Sequence, residues 1–180
     1  MSTKILFPFA VLVGLLAAVF SAAQSTANKS SPVELSAEKH LRNVRQLTFG
    51  GENAEAYFSA DGRELIFQSK RDAMECDQIF RMSADGRDAR MVSTGAGRTT
   101  CSYFLPRERR ILYASTHLAA KECPPRPDYR RGYVWPIYPS YDIFTARPDG
   151  KDLKQLTKTP GYDAEATVST DGKRIVFTSM

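Results

Sequence analysis

Apolar and polar positions alternate in short runs along most of this chain. Glu64–Ser69 reads ELIFQS, Arg174–Ser179 reads RIVFTS, Gln78–Ser83 reads QIFRMS and Asp142–Arg147 reads DIFTAR. Runs of this length, with a period of two and rich in Ile, Phe and Val, predict strands rather than helices. Asp-Gly pairs stand beside them at Asp61-Gly62, Asp85-Gly86, Asp149-Gly150 and Asp171-Gly172. Asp-Gly is a hairpin signal because glycine reaches positive φ without a steric cost. The predicted order is strand, tight turn, strand, longer connection, strand, tight turn, strand.

That order recurs because the sequence repeats. Residues 54–69 (AEAYFSADGRELIFQS), 100–115 (TCSYFLPRERRILYAS) and 164–179 (AEATVSTDGKRIVFTS) are copies of one another. A second element recurs at 77–90 (DQIFRMSADGRDAR) and 141–154 (YDIFTARPDGKDLK). The first two copies are 46 residues apart, from Phe58 to Phe104. The next interval, Phe104 to Val168, is 64 residues because the second unit carries an insertion. Four antiparallel strands in about 45 residues make one propeller blade. The expected fold is therefore all-β: a partial β-propeller of four-stranded antiparallel blades, about two and a half of them. The blades are expected at about 54–93, 99–157 and 164–180, in a propeller region spanning 43–180. Asn43–Thr48 matches Leu153–Thr157, the fourth strand of the second blade. A fourth strand placed before the first blade reads as an N-terminal closing strand.

QLTKTPGYDAEATVSTDGKRIVFTS at 155–179 and QLTFGGENAEAYFSADGRELIFQS at 46–69 resemble the TolB-like (PD40, WD40-like) β-propeller repeat. The shared pattern is Gln-Leu-Thr, a short linker, then Ser-x-Asp-Gly-Lys/Arg-x-Ile-x-Phe-x-Ser. The second blade departs from it, with Arg107-Glu108 in place of Asp-Gly, and the Pro and Trp of the family's first strand are missing. Family propellers close with about six or seven blades, so the resemblance implies an N-terminal fragment of a longer product. The last strand would otherwise be an uncovered apolar edge, which natural proteins avoid.

The first 23 residues change the compartment. Lys4 precedes a nearly continuous apolar run from Ile5 to Phe20, and Ser21-Ala22-Ala23 supplies small residues before Gln24. This is the pattern of a signal peptide, with cleavage expected after Ala23 and no stable membrane span afterwards. Residues 24–42 are polar and read as a flexible linker. The mature protein is then periplasmic or secreted. The formal charge of +5 falls to +4 without Lys4 and is spread along the chain, so nucleic acid is not an expected partner.

Three cysteines, Cys76, Cys101 and Cys123, predict one disulfide and one free thiol in an oxidising compartment. Cys76 pairs with either Cys101 or Cys123 on this reading. No zinc spacing is present, and neither a metal nor a cofactor is expected; His117, at a strand end, reads as a hydrogen-bonding residue.

Two features form the candidate binding site. The aligned copies place Glu55, Cys101 and Glu165 at equivalent points of the first strands, which line the channel of a propeller. Glutamates there suit a cation or basic groups on a partner, or they serve blade packing alone. The insertion Thr116–Ser140 contains five prolines and interleaves Tyr129, Tyr133, Trp135 and Tyr138 with Arg126, Arg130 and Arg131. Aromatic and arginine side chains on a stiffened loop have the makeup of a binding hot spot, for a protein, an anionic peptide or a carbohydrate. The competing expectation is that the rings pack down over the blade as a lid.

No G-x-S-x-G, H-E-x-x-H or phosphate loop occurs. The expected function is therefore a non-enzymatic, exported propeller that binds a protein or cell-envelope component, which the resemblance associates with envelope assembly or transport. The alternative is the propeller domain of a prolyl oligopeptidase or dipeptidyl peptidase type serine peptidase, with its catalytic residues beyond Met180.

Overall fold

The computed structural model describes residues 39–106 and 109–180. The apolar run through Ala23, the linker as far as residue 38 and the Arg107-Glu108 pair lie outside the described residues. The strands are β1 (Glu52–Phe58), β2 (Glu64–Lys70), β3 (Gln78–Ser83), β4 (Arg90–Met91), β5 (Thr99–Leu105), β6 (Arg110–Ser115), β7 (Asp142–Ala146), β8 (Lys154–Gln155), β9 (Asp163–Val168) and β10 (Ile175–Ser179). They form two four-stranded sheets, β1-β2-β3-β4 and β5-β6-β7-β8, and a β9-β10 pair. Every pairing is antiparallel and joins neighbours in sequence. The chain is thus part of a β-propeller, with two complete blades and the first two strands of a third.

The Ser-x-Asp-Gly motif is a small hydrogen-bonded device. Ser59 Oγ donates to Asp61 Oδ1 at 2.7 Å, Arg63 N donates to the same oxygen, and Glu64 N donates back to Ser59 Oγ at 3.0 Å. Ser169, Asp171, Lys173 and Arg174 repeat these bonds, with Ser169 Oγ 2.6 Å from Asp171 Oδ1. The serine hydroxyl, then the following amide, holds each aspartate carboxyl below its usual range. Gly62 and Gly172 close the turns at φ 68° and 73°.

The fourth strands are shorter than the periodicity suggests, two residues in place of Ala89–Ser93 and Leu153–Thr157. A side chain ends each ladder. The N–H groups of Ile79 and Ile143 donate to the hydroxyls of Ser93 and Thr157, both at 2.9 Å, instead of to a backbone carbonyl.

Blades pack face to face. In β2, Ile66 points toward the second blade while Leu65 and Phe67 point away from it. Ile66, Ile79 and Val92 meet Ile111, Tyr113, Phe144 and Ala146 in one buried cluster. The other face of blade two, with Leu105, Leu112 and Ile143, receives Ala166, Val168 and Ile175 of the third unit. The first strands β1, β5 and β9 abut in sequence, as innermost strands do.

One further feature differs from the sequence reading. Residues 43–48 form no strand; Arg45 makes an isolated bridge, and Leu47 packs over Leu65, Phe67, Phe80 and Met82 on the outer face of blade one. A closing strand needs the ladder of the blade it completes, and no such ladder is present among the described residues. β10 leaves Val176 70% exposed, so its outward face is uncovered.

Burial locates the stability. Ile111→Ala should lower the unfolding free energy by about 2–5 kcal/mol in a denaturant titration. Val176→Ala should stay within about 0.5 kcal/mol of the parent.

Candidate functional site

The 26 residues from Thr116 to Tyr141 connect β6 to β7 and cross from blade one to blade three. Their base is fixed by the backbone. Thr116 N donates to Arg98 O at 3.0 Å, Arg98 N donates to Thr116 Oγ1 at 2.9 Å, and Gly97 N donates to Lys121 O at 2.8 Å. Gly97 has φ 60°, and a Cβ there would lie 2.7 Å from Thr116 Oγ1 and 2.8 Å from His117 N, so only glycine permits this approach. A disulfide joins Cys76, in the β2–β3 connection, to Cys123, with Cα atoms 5.7 Å apart. Of the two pairings open from sequence the structure adopts this one, and Cys101 is the free cysteine.

The far end of the insertion rests on blade three. Trp135 Nε1 donates to Tyr162 Oη at 3.0 Å. Tyr138 packs against Ala114, Tyr141, Tyr162 and Ala164 and donates its hydroxyl to Pro125 O. Tyr129 and Tyr133 do not pack down. Their rings lie nearly parallel, 6.4 Å apart, and Tyr133 is 80% exposed. Tyr138 thus covers the blade, the tyrosine pair faces out, and Trp135, half exposed, does some of each.

Between the insertion and blade one lies a cleft of about 320 Å³. From the insertion it takes Arg126, Tyr129, Tyr133 and Trp135. Blade one and the linker after it supply Glu52, Asn53, Gln68, Lys70, Asp77 and Arg98. Glu52 pairs with Lys70 at 3.6 Å. Arg98 Nε is buried with no hydrogen-bond partner among the described residues. Gln68 spends its carbonyl oxygen on Thr100 Oγ1 at 3.0 Å and Cys101 N at 3.4 Å, which turns its amide nitrogen to other use. A larger cavity of about 480 Å³ lies against the disulfide, but neither an aromatic ring nor a guanidinium lines it.

Arg130 stands apart from the cleft, bound to Asp128 of its own loop at 2.7 Å, and Arg131 is exposed beside it. Glu55 and Glu165 do not line the cleft either. With Cys101 they occupy a shared backbone feature: each sits in a β-bulge of its first strand, Glu55 at φ 52°, Cys101 at 49° and Glu165 at 57°. Two residues there oppose one on the partner strand, and the first takes a left-handed conformation usual for glycine. Tyr57 Oη donates to Glu55 Oε2 at 2.6 Å, and Thr178 Oγ1 donates to Glu165 Oε2 at 2.9 Å. Tyr57 stacks on Tyr103 with centroids 4.1 Å apart.

Burial pushes the Cys101 thiol up; the Thr100 hydroxyl opposes this, and the charges of Glu55 and Glu165 reinforce it. Ser115 Oγ lies 2.8 Å from His117 Nδ1, but Ser115 is 1% exposed, and burial holds His117 below its ordinary value. The imidazole packs against Phe144, with ring centroids 4.5 Å apart.

The sequence reading missed Glu52, Arg98 and Tyr162. They are equivalent in the three copies: each follows the glycine, Gly51, Gly97 or Gly161, that turns the chain into a first strand. Two of them line the cleft and the third holds Trp135. The repeat alignment contained that signal three residues before the aligned Glu55, Cys101 and Glu165.

No family model and no curated protein matches the sequence. Solved structures do. The crystal structure of TolB from Acinetobacter baumannii superposes with a TM-score of 0.53 at 22% identity, over 75% of this chain and 29% of that one. The putative TolB from Agrobacterium tumefaciens gives 0.55 at 20% identity, over 77% of this chain and 48% of that one. The chain therefore folds as a TolB-like propeller and spans less than half the length of these structures.

The surroundings of Cys101 dictate its chemistry. With its thiol pKa raised, the thiolate fraction at pH 8 falls below that of an unperturbed cysteine. Iodoacetamide should therefore label native Cys101 more slowly than the unfolded chain at pH 8, with the gap narrowing as pH rises. Equal rates would contradict this environment.

Proposed function

We propose that this chain is an exported, non-enzymatic β-propeller that binds a protein or another cell-envelope component. The contact surface is the insertion together with the rim of blade one beneath it. The observation that carries this reading is the cleft, where Arg126, Tyr129, Tyr133 and Trp135 converge with Arg98. Aromatic and arginine side chains are the residue types that dominate binding energy when a partner desolvates them. The loop that presents them is held at both ends, by the disulfide and by the Trp135–Tyr162 hydrogen bond, so little ordering is left to be paid on binding.

The nucleophile candidates support binding over catalysis. Cys101 sits where its proton is held more tightly than usual, the opposite of an activated thiol. Ser115, beside His117, is closed off from solvent. An apolar N-terminal run with a small-residue cleavage pattern supports export, and a disulfide suits an oxidising compartment.

Tyr133 provides a clean test because it is largely exposed and, among the described residues, its ring stacks only on Tyr129. Tyr133→Ala should leave the thermal midpoint within about 2 °C of the parent. Cross-linking capture of a defined envelope partner should fall at least tenfold. Undiminished capture by this variant would remove the insertion as the contact surface.

A further inference from the structure

The chemistry of the cleft narrows the kind of ligand it takes. Three charged side chains there, Arg98, Arg126 and Asp77, form no side-chain hydrogen bond or ion pair with any described residue. Glu52 and Lys70 neutralise one another, so the unpaired set carries two cations against one anion. Around it stand planar polar groups, the amide of Gln68 among them, and aromatic faces at Tyr129, Tyr133 and Trp135.

We propose that this cleft binds a carboxylate-bearing saccharide. The inference rests on the reading of the insertion as the contact surface and names its ligand class. An apolar peptide side chain would bury the Gln68 amide nitrogen and the Asp77 and Arg98 side chains without partners, which is a cost rather than a source of affinity. Sugar hydroxyls both donate and accept, so they satisfy an amide, a carboxylate and a guanidinium in turn. The C–H face of a pyranose ring carries a weak positive potential and lies flat on the negative face of an aromatic ring. The tyrosine pair, 21° from parallel, presents such a platform. The excess guanidinium selects a carboxylate, whose two oxygens match its fork of donors. A volume of about 320 Å³ is at the small end of ligand clefts and suits about one or two sugar rings.

Trp135 makes the test direct, because it is the only tryptophan in the chain and it lines the cleft. The mature chain is titrated with a disaccharide of glucuronic acid and N-acetylglucosamine while tryptophan emission is followed. Chitobiose and hexaglutamate are the comparison probes. The acidic disaccharide should shift the emission saturably and bind at least tenfold more tightly than chitobiose. Arg126→Ala should lose at least tenfold of that affinity, and Tyr133→Ala a similar amount, with unchanged circular dichroism for both. Chitobiose binding as tightly as the acidic sugar would overturn the proposal, as would the absence of a saturable shift with either sugar. If hexaglutamate alone shifts the emission, the saccharide is wrong and the contact surface stands. If no probe shifts it and the Tyr133 variant also retains partner capture, both readings fall.

Discussion

Each sheet of this protein has two apolar faces and can cover neither alone, and the rest of the architecture depends on that. Ile66 and Phe67 are adjacent in β2 and point to opposite sides, and both are buried. A strand with both faces buried needs a neighbour on each, so the stable arrangement is a row of sheets stacked face to face. Blade two meets this fully, with the Ile66 cluster on one side and Ala166 and Ile175 on the other. On the outer face of blade one, Leu47 and Met74 pack against the apolar side chains. Stacking also sets the site, since it brings the first strands together and places the insertion of blade two against the rim of blade one.

Much of this was legible in the sequence because it is local. The Ser-x-Asp-Gly turn is a closed set of hydrogen bonds within six residues, so its residues report their own geometry. Period-two alternation located β2, β3, β7 and β10 for the same reason. The shortness of β4 and β8 was less visible, because a hydroxyl two residues beyond the ladder replaces a carbonyl. The disulfide partner of Cys76 depends on how a long connection folds across a blade boundary, which spacing does not encode. The fates of the insertion's rings were undecided in the same way: Tyr133 and Tyr138 are alike in sequence, yet one meets solvent and the other meets Ala114 and Tyr162.

The bulges show how repetition carries function as well as fold. Glu55, Cys101 and Glu165 share a left-handed conformation that side chains rarely adopt, at a cost of order 1–3 kcal/mol each. Keeping it in three copies means that the bulge itself is built into the unit. It bends each first strand just after the glycine turn that sets Glu52, Arg98 or Tyr162 at the rim. The repeat thereby presents one variable side chain per blade at a fixed place. In blade one and the linker after it these are an ion-paired carboxylate and a guanidinium; in blade three the phenol anchors Trp135.

The cleft depends on the insertion being tied to blade one, since without that tie it has no fixed second wall. Peptide mapping of the non-reduced chain, alkylated after unfolding, reads the tie directly. The expected result is one cross-linked species joining the peptides of Cys76 and Cys123, with Cys101 recovered in alkylated form. A Cys76–Cys101 species, or three alkylated cysteines, would contradict the placement of the insertion and the cleft that depends on it.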